Sequence, residues 1–245
     1  MKRTFLLIIA LSLVVLFWVA PASAQDISIS LGDEGSLSAR TIQLMLLITV
    51  LSLAPGLAIM ITCFPFIVTV LSILRQGIGL QQSPPNMLII SLALFLTYFV
   101  MEPVFIAAWS QGIDPLLQDK LSFEDAISRT LAPFRIFMAG RVDADTLAAM
   151  AALRPDAENI ATGADAPLSV LIPSFLLSEI SRAFQIGFLV FLPFLIIDLV
   201  VAAILMSMGM MMVPPVVVSL PFKLAFFVIA DGWQLIADSL VRGYF

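Results

Sequence analysis

The sequence predicts an all-α chain of the integral membrane type, with four apolar helical units forming two kinked hairpins and a mostly helical polar insert between them. Three observations carry that expectation. The chain has 245 residues, of which 61% are hydrophobic and only 12% charged, too little polar surface for a water-soluble domain of this size. The apolar residues gather into runs long enough to cross a hydrocarbon core, which takes about 20 residues per helix. Prolines and glycines cut those runs at intervals, and one long stretch in the middle is polar.

Residues 1–24 have the form of a secretory signal. Lys2 and Arg3 precede a short apolar core, and Ala22-Ser23-Ala24 is a small-residue cleavage site with Gln25 starting the mature chain. The alternative is an uncleaved first helix. Cleavage at Ala24 would leave ten basic residues against seventeen acidic ones and would place the new N-terminus outside the cytoplasmic membrane. Residues 25–41 are a polar leader. The first hairpin is expected over 42–109. Its opening apolar run, 42–74, is too long for one straight span and is broken by Pro55-Gly56 and Pro65. A hinge at 75–85 holds Gly77, Gly79 and Pro84-Pro85. A second apolar helix follows over 87–109 and carries Glu102 just before Pro103.

The polar insert occupies 110–167. Its residues 111–166 hold five basic and nine acidic side chains. Ser122 with Asp125 reads as a helix start, and the alanine-rich stretch 143–153 favours helix. The second hairpin covers 168–245, with apolar runs 168–208 and 213–240 on either side of Met210-Met211-Met212 and Pro214-Pro215. The signal orients the insert to the periplasm and both hinges to the cytoplasm. The basic residues give this orientation little support, since more arginines lie in the insert than in the hinges.

Composition excludes several functions. The net charge of −5 leaves no basic patch for nucleic acid. There is no histidine, and Cys63 is the single cysteine, so metal clusters, cofactor attachment and the usual general base all lack residues. HExxH, GxSxG and paired-aspartate motifs are absent, so no enzyme is expected.

Glu179, Arg182, Lys223 and Asp231 lie within the most apolar stretches. A charge at the bilayer centre costs roughly 3 kcal/mol unless it is paired or wetted. Glu179 and Arg182 are spaced to pair on one helical face. Glu179 could equally bridge to a neighbouring subunit or meet Arg129, Arg135 or Arg141 of an adjacent copy. Lys223, Asp231 and Asp238 recur at helical spacing as a polar stripe, with Pro221 suited to the first turn of their helix. Gly232-Trp233 favours close helix packing. Asp198 stands alone among apolar neighbours. Three consecutive methionines cannot form one helix face, so Met210, Met211 and Met212 read as a loop of flexible thioethers, an adaptable plug if repeated around an axis.

Two stretches carry a family resemblance. Pro173-Ser174-Phe175-Leu176-Leu177-Ser178-Glu179-Ile180-Ser181-Arg182-Ala183-Phe184-Gln185-Ile186-Gly187-Phe188 resembles one signature of the FliP family, and Pro221-Phe222-Lys223-Leu224 continuing to Asp231-Gly232-Trp233 resembles its second. Ser174 departs from the small residue, often alanine, usual at its position. The family serves flagellar protein export and has counterparts in virulence type III secretion. The resemblance implies a pore-forming subunit in a homo-oligomeric ring, a pentamer, built with FliQ and FliR and linked to FlhB and FlhA. It would sit in the bacterial cytoplasmic membrane within the flagellar basal body and pass unfolded flagellar proteins. The family's gate loop maps onto 209–215 with Met210, Met211 and Met212. Phe175, Glu179, Arg182, Phe184, Gly187, Lys223, Asp231, Gly232 and Trp233 are the signature positions expected at subunit contacts. The competing reading, a small-solute transporter, predicts convergent charges at a midplane site and an internal repeat, and the sequence shows no such repeat.

Overall fold

The computed structural model describes residues 37–80, 84–155, 161–210 and 212–244, and every regular element among them is helical. The chain divides into two units, residues 1–50 and 51–245. The signal segment, its Ala24/Gln25 junction and most of the leader lie outside the described residues.

The first helix, α1, spans Leu37–Met60 and carries Pro55 inside it without ending there. Its side chains from Ile42 to Val50 are exposed. The chain turns at Ile61–Cys63, where the Thr62 hydroxyl donates to the Ile59 carbonyl at 3.0 Å. The second helix, α2 (Phe64–Ile78), then begins with Pro65 in its first turn, where a missing N–H leaves no bond unmade. Gly79 ends α2 in the left-handed conformation, φ 87°, its N–H bonded to the Gln76 carbonyl at 3.0 Å. The single apolar run 42–74 is therefore two helices.

Helix α3 (Asn86–Ala108) passes through Pro103 and continues into a π-turn at Trp109–Ile113 and a short helix α4 (Asp114–Leu117). The insert consists of α5 (Phe123–Arg141), α6 (Ala144–Ala152) and a 3₁₀ turn at Gly163–Asp165. Ser122 caps α5, its Oγ accepting the Asp125 N–H at 3.2 Å. Asp143 caps α6 by accepting the Thr146 N–H at 2.9 Å. Both satisfy donors that a helix start leaves unpaired.

Helix α7 (Leu168–Ser207) has 40 residues, about 60 Å of rise. Helix α8 (Pro215–Ile229) and helix α9 (Gly232–Arg242) follow, bent 61° from each other. By length and composition α1, the α3–α4 run and α7 can each cross a membrane, and α8–α9 can do so as a bent pair.

Two expectations for this last segment are corrected. Pro221 lies inside α8, whose first turn is formed by Pro215. Lys223 and Asp231 do not share a continuous helical stripe with Asp238, because the helix breaks at Asp231, φ 46°. Helical spacing projects a face only while the i→i−4 ladder is unbroken.

The core of the second unit is centred on α2. Ile67, Val70, Leu71 and Leu74 are essentially inaccessible, with α3 and α7 packed against them. Gly187 on α7 allows the closest approach, since a Cβ there would lie 2.4 Å from the Ile73 side chain on α2. A second cluster, with Met138, Leu147, Val170, Leu171 and Phe175, joins α5 and α6 to the start of α7. The insert is therefore fastened to the apolar framework at one end of α7.

Candidate functional site

Ionic side chains that the apolar helices must bury collect at two places. At the first, Glu179 of α7 has no exposed surface. The Arg141 Nε, at the end of α5, donates to its Oε1 at 3.1 Å. Arg182 approaches the same oxygen more loosely, at 3.6 Å. The Tyr244 hydroxyl donates to Oε2. Arg141 also donates to the Gly243 carbonyl at 2.8 Å and lies 4.1 Å from the centroid of the Tyr244 ring. Beside this site the Asp143 N–H donates to the Ser178 hydroxyl at 3.0 Å. The hydrogen bonds from Thr146 that make Asp143 a cap also hold its carboxyl below the ordinary aspartate range.

The second site joins α2, α7 and α8. Lys223 is 4% exposed. Its Nζ donates to Asp198 Oδ2 at 2.6 Å and to the Gly77 carbonyl at 3.1 Å. The other Asp198 oxygen accepts from Ser219 at 2.5 Å. The ammonium thus also meets the C-terminal end of α2, where helix carbonyls favour a cation.

Between α7 and α8 the chain turns at Gly209, φ 75°, a conformation glycine adopts without strain. The Met210 N–H reaches back to the Leu205 carbonyl at 2.9 Å. Met210 is partly exposed and Met212 almost wholly so, at 98%. Met211 lies outside the described residues. An aliphatic groove of about 530 Å³ runs beside this turn, lined by Val200, Ile204, Met208, Met210, Val218 and Phe222.

The remaining signature positions divide by direction. Phe175 is buried edge-on against Phe137, at 5.8 Å between centroids. Phe184 faces outward, 61% exposed. At the α8–α9 bend Asp231 is exposed, while Gly232 is buried so closely against Phe227 that a Cβ would lie 2.2 Å from the ring. Trp233 stands perpendicular to the same ring at 5.3 Å.

The structure meets Glu179 and Lys223 within one chain. It brings Arg182 to the edge of the first site and leaves Asp231 in the open. The sequence reading missed Tyr244 and left Asp198 without a partner. Arg141, expected from an adjacent copy, meets Glu179 within the same chain. Arg141 and Tyr244 lie 38 and 65 residues from Glu179, and Asp198 lies 25 from Lys223, so no local spacing announces them.

The family model described as the FliP family matches residues 47–240. The chain belongs to the FliP family. That match takes in both signature stretches and the methionine turn, and it stops before Tyr244. The flagellar biosynthetic protein FliP of Caulobacter vibrioides is 48% identical over 245 residues, covering 100% of this chain and 92% of the relative. The protein of the same name in Agrobacterium fabrum is 49% identical over 212 residues, 86% of each chain. The one in Bacillus subtilis is 46% identical over 206 residues, 83% of this chain and 92% of the relative.

Proposed function

We propose that this FliP-family chain is the pore-forming subunit of a flagellar protein export gate. It works as a homo-oligomeric ring, a pentamer, in the bacterial cytoplasmic membrane of the basal body, with its insert on the periplasmic side. FliQ and FliR complete the gate, FlhB and FlhA adjoin it, and unfolded flagellar proteins pass through. The chain itself makes and breaks no bonds. The observation that carries the reading is the methionine turn. An apolar chain folds back on itself between α7 and α8 and leaves Met210 partly and Met212 almost wholly exposed, where burial in its own core would be the economical arrangement for a thioether.

Around a ring axis these side chains would form a compressible apolar constriction. Water and ions would be excluded because a narrow dry segment gives them nothing to replace their hydration. A passing polypeptide could displace flexible thioethers without breaking any hydrogen bond. The exposed surfaces at Phe184, Asp231 and Trp233 suit contacts between subunits.

The test is to replace Met210, Met211 and Met212 together with glycine in the assembled complex and measure ion conductance across the membrane. Raised leakage with an intact ring is the expected outcome. Unchanged conductance would remove the constriction from this loop.

A further inference from the structure

We infer that Gly243 and Tyr244, the described residues that follow α9, form a latch that locks the polar insert onto the α2–α7 core through Glu179. This goes beyond the export reading and does not depend on it.

The latch touches three elements, α2, α5 and α7. The Tyr244 ring lies edge-on to Phe66 of α2 at 5.6 Å and stacks on Phe137 of α5 at 6.1 Å with 16° between planes. Its hydroxyl donates to Glu179 of α7. The Gly243 carbonyl accepts from Arg141 at 2.8 Å, and the Arg141 guanidinium covers the tyrosine ring. Arg141 is the last residue of α5, so these contacts hold the insert at the point where it turns toward α6.

Without the latch, one oxygen of a fully buried carboxylate loses its donor, and Arg141 loses both an acceptor and an aromatic face. A buried group left unpaired bears its full desolvation penalty. Tyr244 acts through Glu179 and Arg141 as a positioning residue. It follows in the chain every element that it holds, and it adds to the apolar contacts by which α5 and α6 already meet the start of α7.

Limited trypsin digestion of the detergent-purified full chain tests this, because the insert contains Arg129, Arg135 and Arg141. Tyr244→Ala should speed cleavage at these arginines by more than tenfold, because it removes the ring contacts as well as one hydrogen bond to a charged group, which alone is worth about tenfold. Tyr244→Phe keeps the ring and removes only the hydroxyl, so its cleavage rate should fall between those of the wild type and Tyr244→Ala. If Tyr244→Ala fails to fold, the phenylalanine variant carries the test. In a Glu179→Leu background Tyr244→Phe should have no further effect, because the hydroxyl has lost the acceptor through which it acts. Unchanged cleavage in both variants, or an equal effect of Tyr244→Phe with and without Glu179, would overturn the latch.

Discussion

The two buried ionic sites solve the same problem in different ways. Glu179 has two hydrogen-bond donors, Arg141 and Tyr244, and a looser ion-pair partner in Arg182; the two arginines reach toward water, with 17% and 37% of their side chains exposed. Lys223 depends on one carboxylate and one helix-end carbonyl, and it is itself almost enclosed. The first site has several partners and an outlet to solvent, and it ties the insert to the framework. The second has a single countercharge and ties together the helices on either side of the methionine turn. The expected lesson is that loss of a partner is tolerated where the remaining charges can rehydrate and is severe where they cannot.

Asp198→Ala should have the largest effect, because it leaves the Lys223 ammonium buried without a countercharge. A loss of about 3–5 kcal/mol is expected, read as thermal unfolding in detergent. The double variant Asp198→Leu/Lys223→Met should recover much of it, since an apolar pair of similar volume needs no partner. Failure of that rescue would show that the site does more than neutralise charge.

Glu179→Ala should be milder, about 1–3 kcal/mol, because Arg141 and Arg182 can turn toward water while the Tyr244 hydroxyl loses its acceptor. Equal losses for Glu179→Ala and Asp198→Ala in the same melting assay would erase the distinction between the sites.

The smallest effect belongs to Asp143, at the edge of the first site. Its folded-state carboxyl titrates below the unfolded value. The stabilisation it gives α6 is therefore complete above the ordinary aspartate range and is lost as pH falls through the lowered value. Hydrogen exchange of the Thr146 amide should be flat from neutral pH down to that range, once corrected for intrinsic rates, and lose protection only below it. Asp143→Asn should abolish that pH-dependent loss, because the amide does not titrate. A steady decline beginning near neutrality would place the titrating group elsewhere.

How much was legible in the sequence differs between the two sites as well. Glu179 and Lys223 stood out because a charge within an apolar run is conspicuous without any structure. Their partners did not. Arg141 belongs to a polar insert where arginines are unremarkable, and Tyr244 follows a short amphipathic helix. Asp198 was conspicuous too, yet nothing in its spacing pointed to Lys223. The stripe drawn through Lys223, Asp231 and Asp238 failed for a local reason, since periodicity cannot see a left-handed residue in the middle of its own repeat.

The sequence by itself determined the all-α membrane class, the cap at Ser122, the helix over the alanine-rich stretch after Asp143, and the methionine run bounded by Gly209 and Pro214-Pro215. These depend on composition, on helical spacing and on residues whose chemistry acts within a few positions along the chain. Only the tertiary structure decided which groups answer the buried charges, how Gly187 lets α7 close on α2, and where the last helix bends. Those outcomes depend on side chains brought together from distant parts of the chain, and a buried charge takes whichever partner the packing delivers.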